Sequence, residues 1–172
     1  MIVGIGGASR SGKSELAGKL KSRNKELSIA IISQDDYVKP EHLIPRIKTE
    51  IDWECPESID YEKFISAIKV SNQIYDVTIA EGLLIYNHKE LASLFDKKIF
   101  IKIDKHTFYK RKSKDLRWGE IEDWYKEHIW LSYLKYSKLN SLGTEFILLN
   151  GSSNIDYRKI EHSLGLVDII TN

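Results

Sequence analysis

The chain has 172 residues, of which 42% are hydrophobic and 30% charged, and a formal net charge of +1. That length makes one domain with a sizeable core. The near-zero balance supplies no basic field for duplex nucleic acid, so the expected partner is a small molecule rather than nucleic acid. No apolar stretch approaches the roughly 20 residues that span a bilayer, so no membrane contact is expected. The chain enters a strand directly, which argues against a signal peptide, and its single cysteine, Cys55, forms no internal disulfide. Both points fit a reducing, cytoplasmic setting. Cys55 is read as a small apolar filler, because no neighbouring histidine or basic cluster activates its thiol.

The first predicted strand, Ile2 to Gly6, leads into Gly7-Ala8-Ser9-Arg10-Ser11-Gly12-Lys13-Ser14, which fits the spacing G-x-x-x-x-G-K-[ST]. Backbone N–H groups in such a loop converge on one anion, and the following helix adds its positive end to the same spot. Lys13 is expected on the β- and γ-phosphate oxygens and the Ser14 hydroxyl on Mg²⁺. An amphipathic run from Glu15 to Leu20 supplies the helix, so a fortuitous glycine turn is the weaker explanation.

The second predicted strand, Ser28 to Ser33, delivers Gln34-Asp35-Asp36-Tyr37. Two carboxylates there suit orienting an acceptor hydroxyl or holding Mg²⁺ through water; the competing reading is an aspartate pair capping a turn. A helix is expected over Asp60 to Lys69, then a third strand, Asp76 to Ala80, that ends in Glu81-Gly82. Glu81 is the candidate for the acid that polarises metal-bound water; the alternative is an exposed strand-end acid paired with a lysine. A fourth strand, Lys98 to Ile103, precedes the cationic run Phe108 to Arg117. Many of its lysines read as a solvated face, yet a lid carrying cations closes well on migrating phosphate and excludes water. Arg111 and Arg117 are chosen within it because a guanidinium grips two phosphate oxygens at once. A fifth strand is expected over Glu145 to Leu149.

This alternation predicts an α/β fold: a five-stranded parallel sheet with helices on both faces, a lid at about 110–124, and a single domain over 1–172. Ligands in such sheets bind beyond the carboxyl ends of the strands. The five histidines are scattered without metal-ligand spacing. Trp124, Tyr125, Trp130, Tyr133 and Tyr136 fall at helical spacing and read as a packed face rather than a platform for single-stranded nucleic acid. Asn87-His88-Lys89-Glu90 does not match a guanine signature, so a GTP-driven switch is the weaker rival.

Four segments together carry a resemblance. The phosphate loop, Ile32 to Pro40, Glu81 to Asn87 and His128 to Tyr136 are similar to the corresponding stretches of nicotinamide riboside kinases, a branch of the uridine kinase-like P-loop nucleoside kinases. The similarity runs nearly end to end, and the Ser-Gln-Asp-Asp and Trp-x-x-Tyr-Leu-Lys-Tyr stretches are far more specific than the loop. The resemblance implies a P-loop kinase fold and ATP-dependent phosphorylation of a riboside 5′-hydroxyl, giving nicotinamide mononucleotide for NAD salvage. It implies catalytic roles for Asp35, Lys13 and Arg111, and a metal site of Ser14, Asp35 and Glu81. ATP would meet Gly7, Ala8, Ser9, Arg10, Ser11, Gly12, Lys13, Ser14, Glu15, Arg111, Arg117, Ser153 and Asn154. Substrate would border Asp35, Asp36, Tyr37, Val38, Trp53, Glu54 and Lys112.

Trp53-Glu54 stands where the familiar pattern has a tyrosine and an aspartate. An indole face is the best aromatic partner for a cationic pyridinium ring, worth roughly 0.5 to 2 kcal/mol. Glu54 suits the ribose 2′- and 3′-hydroxyls. Trp53 is otherwise a core aromatic beneath the Asp60 to Lys69 helix. Cys55-Pro56-Glu57 resembles the Asp-His-Pro-Asp stretch of uridine kinases, which keeps pyrimidine nucleosides open, and the lid lacks the proline-rich stretch of vertebrate relatives. The expected assembly is a monomer or weak homodimer. The rivals are another small-molecule P-loop kinase, a nucleotide-binding regulatory protein and a nucleic-acid ATPase.

Overall fold

A computed structural model describes residues 1–116, 119–137 and 145–166 of the protein. Strand β1 (Ile2–Gly7), helix α1 (Lys13–Arg23) and strand β2 (Ile29–Ser33) open the chain. A small hairpin of β3 (Arg46–Ile47) and β4 (Glu50–Ile51) precedes helix α2 (Tyr61–Ile74) and strand β5 (Val77–Gly82). Helix α3 (Lys89–Ser93), strand β6 (Lys97–Lys102), helix α4 (Lys105–Lys112) and helix α5 (Asp123–Tyr136) follow, and strand β7 (Ile147–Asn150) and helix α6 (Tyr157–Leu164) end the described chain.

The sheet is five-stranded, in the order β2-β5-β1-β6-β7, and every pairing in it is parallel. Alternate residues of each strand face opposite layers. Val3 and Ile5 of β1, Val77 and Ile79 of β5, and Ile99 and Ile101 of β6 pack with Leu16 and Leu20 of α1 and Ile160 and Leu164 of α6. On the other face Ala80 and Phe100 meet Phe64 and Ile68 of α2, Phe108 of α4, and Ile129, Trp130 and Tyr133 of α5. With helices on both sides, β1 and β5 are buried throughout, which explains their nearly unbroken apolar sequence.

Local chemistry sets the element ends. Asp60, Asp104 and Asp156 each accept the third backbone N–H of the helix that follows, capping α2, α4 and α6. Bonds from the amide and hydroxyl of Thr107 hold the Asp104 carboxyl down at about 2. Helix α1 has no such cap: Gly12, in the left-handed region at φ 103°, precedes it, and no side chain occupies its first N–H groups. That end is left open for an anion.

The predicted strands are all present with small shifts, the last running Ile147–Asn150 rather than from Glu145. The second helix continues to Ile74, past Lys69, because Ile68 and Ser71 keep its inner face buried for another turn. The hairpin has no counterpart in the sequence reading: its turn uses Lys48 at φ 53° in place of a glycine. The cationic run splits where α4 ends at Lys112.

Phe64 is fully buried, and its ring supports that of Tyr37, with centroids 5.2 Å apart, on the segment that follows Asp35. Phe64→Ala is expected to cost roughly 3–5 kcal/mol of stability. The check is a lowered urea midpoint at unchanged slope; a loss below about 1 kcal/mol would mean that the core closes over the gap.

Candidate active site

A cleft of ≈ 880 Å³ opens beyond the carboxyl ends of the central strands. Its walls include Ser9 to Leu16 of the phosphate loop and α1, Asp35, Glu81, Arg111, Gly151 and the stretch Ser153 to Ile155. The topology explains the location: β1 is central, so the loop that follows it is flanked by the ends of β5, β6 and their neighbours. Within the loop Lys13 Nζ donates to the Ala8 carbonyl at 3.0 Å, which lays the ammonium across the cradle. Arg10 takes the left-handed conformation at φ 62°, uncommon for a residue with a side chain.

Parallel register then builds the acidic edge. Glu81 of β5 lies beside Ser33 of β2 and Ile5 of β1. Its Oε1 accepts the Ser14 hydroxyl at 2.7 Å and the Ser33 hydroxyl at 3.3 Å, and the residue is only 6% exposed. Sequence reading had Glu81 exposed beside a lysine as its alternative; burial and two serine donors exclude that. Asp35 follows in the short 3₁₀ turn Gln34–Asp36, exposed at the cleft, and Asp36 is exposed beside it. The turn is pinned from behind, where buried Gln34 accepts the Leu84 amide through Oε1 at 3.0 Å. Gly82 makes this possible, since a Cβ there would lie 2.0 Å from Gln34 Oε1.

Arg111 at the end of α4 donates to the carbonyls of Arg10 and Gly151, at 3.1 and 2.7 Å, and so spans the phosphate loop and the turn after β7. Ser153 and Asn154 of that turn line the cleft. Asp115, almost fully buried, faces Arg10 at 3.8 Å and Lys112 at 3.7 Å, which ties the end of α4 to the phosphate loop. Arg117 and part of the expected lid lie outside the described residues.

The second half of the site sits on the turn after the hairpin. Glu54 is half-buried and pushed up to about 7, chiefly by burial, with Lys112 opposing and Asp35 reinforcing the shift. Weaker influences come from His128 and Asp52. Glu54, Lys112 and Asp35, chosen from three distant stretches of sequence, therefore share one electrostatic neighbourhood. Trp53 is 37% exposed and makes no ring contact among the described residues, so it is not a core aromatic beneath α2. Cys55 is buried, with its thiol pushed up to about 11 mainly by burial, which suits a filler and not a nucleophile. Tyr37 is placed differently from the other candidates: its ring packs on Phe64 and lines a shallow apolar depression against α2. Val38 is exposed and bridges to Ile59.

Ser33, Gln34, Asp52, Asp115 and His128 escaped selection. Ser33 and Gln34 lie within the Ser-Gln-Asp-Asp segment, but their partners, Glu81 and Leu84, lie on β5 and just beyond it, which no local pattern announces. Among the described residues no group of three or more His, Cys, Asp or Glu could hold a metal ion. The aromatic series on α5 divides, with Trp130 and Tyr133 in the core while Lys48 caps the Trp124 ring at 4.1 Å. No helix among the described residues is long and apolar enough to cross a membrane.

The fold is that of P-loop kinases, and the kinases that the chain resembles in sequence make it a phosphotransferase. Within that class the chain resembles nicotinamide riboside kinases. It is 29% identical to nicotinamide riboside kinase 1 of Rattus norvegicus over 171 residues, covering 88% of this chain and 86% of that protein. A uridine kinase of Chlamydia pneumoniae is 29% identical over 130 residues, 60% of this chain and 58% of its own. Among solved structures, shikimate kinase from Bacteroides thetaiotaomicron superposes with a TM-score of 0.61 at 14% identity, covering 95% of this chain and 98% of that one, a likeness of fold. No family model matches the chain.

The position of Glu54 has a measurable consequence. Its carboxyl binds a proton in the folded state between about pH 4.5 and about pH 7, where the unfolded chain has released it. Stability therefore falls as pH rises through that window. Glu54→Gln removes the slope, so the variant gains on the wild type in thermal midpoint as pH rises from about 4.5 to about 7 and keeps that gain above it. Parallel midpoint curves for the two proteins would show that Glu54 ionises normally.

Proposed function

We propose that the protein transfers the terminal phosphoryl group of ATP to the 5′-hydroxyl of a nucleoside, with nicotinamide riboside as the acceptor. The product would be nicotinamide mononucleotide, on a salvage route to NAD. One observation carries the reading: a single cleft holds Lys13 and Ser14, the buried Glu81 and the exposed Asp35. A grip for donor phosphates thus shares one cleft with a carboxylate suited to an acceptor hydroxyl. Support for the acceptor comes from the Trp53-Glu54 turn beside Lys112, and from the likeness to nicotinamide riboside kinases over most of the chain.

The bond from the terminal phosphorus to the ADP oxygen breaks as one to the 5′-oxygen forms. Lys13 neutralises charge on the phosphate oxygens, and Arg111 reaches the same region with the guanidinium donors not spent on carbonyls. Asp35 orients the hydroxyl and accepts its proton late, because an alcohol is far too weak an acid to ionise beforehand. Ser14, Glu81 and Asp35 offer only oxygen donors, a set that suits Mg²⁺ held jointly with phosphate and water. Mg²⁺ held there with ATP would supply charge neutralisation for the phosphate oxygens. The indole of Trp53 favours a cationic base over neutral uridine, and Glu54 suits the ribose 2′- and 3′-hydroxyls. In this reading the enzyme works in the cytoplasm on a small molecule, as a monomer or weak homodimer.

A coupled ADP-release assay with nicotinamide riboside, uridine, cytidine and no acceptor tests the assignment. Riboside-dependent release is expected. Release with uridine or cytidine alone would make the protein a pyrimidine nucleoside kinase, and none with any nucleoside would leave a nucleotide-binding regulator. Asp35→Ala should lower kcat at least about a hundredfold with the fold intact, and Lys13→Ala should abolish transfer. Near-normal turnover in either variant removes that role. Trp53→Ala is expected to raise the riboside KM about two- to thirtyfold and the uridine KM less; an unchanged riboside KM rules out stacking.

A further inference from the structure

Helix α5 does more than close one face of the sheet. Its inner side is fixed by Ile129, Trp130 and Tyr133, all buried in the core. Its opposite flank presents three residues to the hairpin and the turn after it. Trp124 lies under Lys48, the Tyr125 hydroxyl donates to the Ile51 carbonyl at 3.0 Å, and His128 Nε2 lies 2.7 Å from Asp52 Oδ1. Both members of this last pair are 16% exposed. A carboxylate only accepts, so the proton of this bond resides on His128 Nε2.

The same Oδ1 atom of Asp52 also accepts the backbone N–H of Glu54, at 3.1 Å. That is an Asx turn with Trp53 at its centre. One carboxylate oxygen therefore fixes the shape of the turn and attaches it to α5. The turn also has bonds of its own: the Ser58 hydroxyl lies within bonding distance of the Trp53 and Cys55 carbonyls, and the Cys55 thiol donates to the Asp52 carbonyl. Breaking the His128 bond thus leaves a folded turn, still tied to α5 through Tyr125, that has lost the anchor of its Asp52 carboxylate.

We propose that His128, acting through Asp52, is a positioning residue for the acceptor: it sets where Trp53 and Glu54 stand relative to Asp35, while taking no part in holding ATP. The idea rests on the nucleoside-kinase reading above. Donor and acceptor contacts are separable here, since the donor residues belong to the sheet edge and the phosphate loop, and none of them contacts His128 or Asp52 through a hydrogen bond or ion pair among the described residues.

The test is steady-state kinetics with nicotinamide riboside and ATP varied in turn. His128→Ala is expected to raise the riboside KM about tenfold or more, the effect of losing a hydrogen bond to a charged group, with the ATP KM unchanged and kcat altered far less. His128→Gln, whose amide also donates, should recover most of the loss. Should the alanine variant fail to fold, Asp52→Asn keeps the geometry but not the charge, and is expected to raise the riboside KM about threefold with the ATP KM unchanged. An unchanged riboside KM, or equal rises in both KM values, overturns the proposal while leaving the kinase reading intact. A wild-type protein without turnover on any nucleoside overturns that reading and this proposal with it.

Discussion

The arrangement turns on one carboxylate. Glu81 is buried at the end of β5 and survives there because Ser14 and Ser33 both direct hydroxyls at its Oε1. A buried acid without such partners would cost several kcal/mol. The contact locks three separate segments at one point: the start of α1, the end of β2 and the end of β5. Once those meet, the phosphate loop has a fixed floor, and Asp35, two residues past Ser33, has a fixed entry to the cleft.

In the proposed function, donor and acceptor contacts are built from different materials. The donor side rests on strand ends and on a helix start whose N–H groups no side chain caps, so its geometry comes with the fold. The acceptor side rests on a short hairpin and a turn outside the main sheet, held by side chains of α5. A rigid phosphate grip beside a separately mounted acceptor turn lets the second change without disturbing the first. Lys112 and Asp115 join the two halves, because the end of α4 lies between the phosphate loop and the neighbourhood of Glu54.

Buried polar groups mark the points where this assembly is most constrained. Gln34 fills the space that Gly82 leaves, and in doing so satisfies the Leu84 amide. Such a pairing explains why a Ser-Gln-Asp-Asp segment accompanies a Glu-Gly pair elsewhere in the chain: one residue of each acts on the cleft, and its neighbour holds it in place. Tyr37 belongs with the supports, since its ring is spent on Phe64.

The sequence alone determined the phosphate loop, the alternation of strand and helix, and the identity of the acids at the strand ends. Each of these is local: it depends on spacing along one segment and on an apolar pattern with period two or near four. The hairpin at Lys48, the burial of Glu81 and Gln34, the packing of Tyr37, the exposure of Trp53 and the bond from His128 to Asp52 were decided only by tertiary structure. For Glu81, Gln34, Tyr37 and His128 the partner lies far away in the chain, and a hydrogen bond or a buried charge gets its energy from the surroundings that folding supplies, not from the residue types themselves.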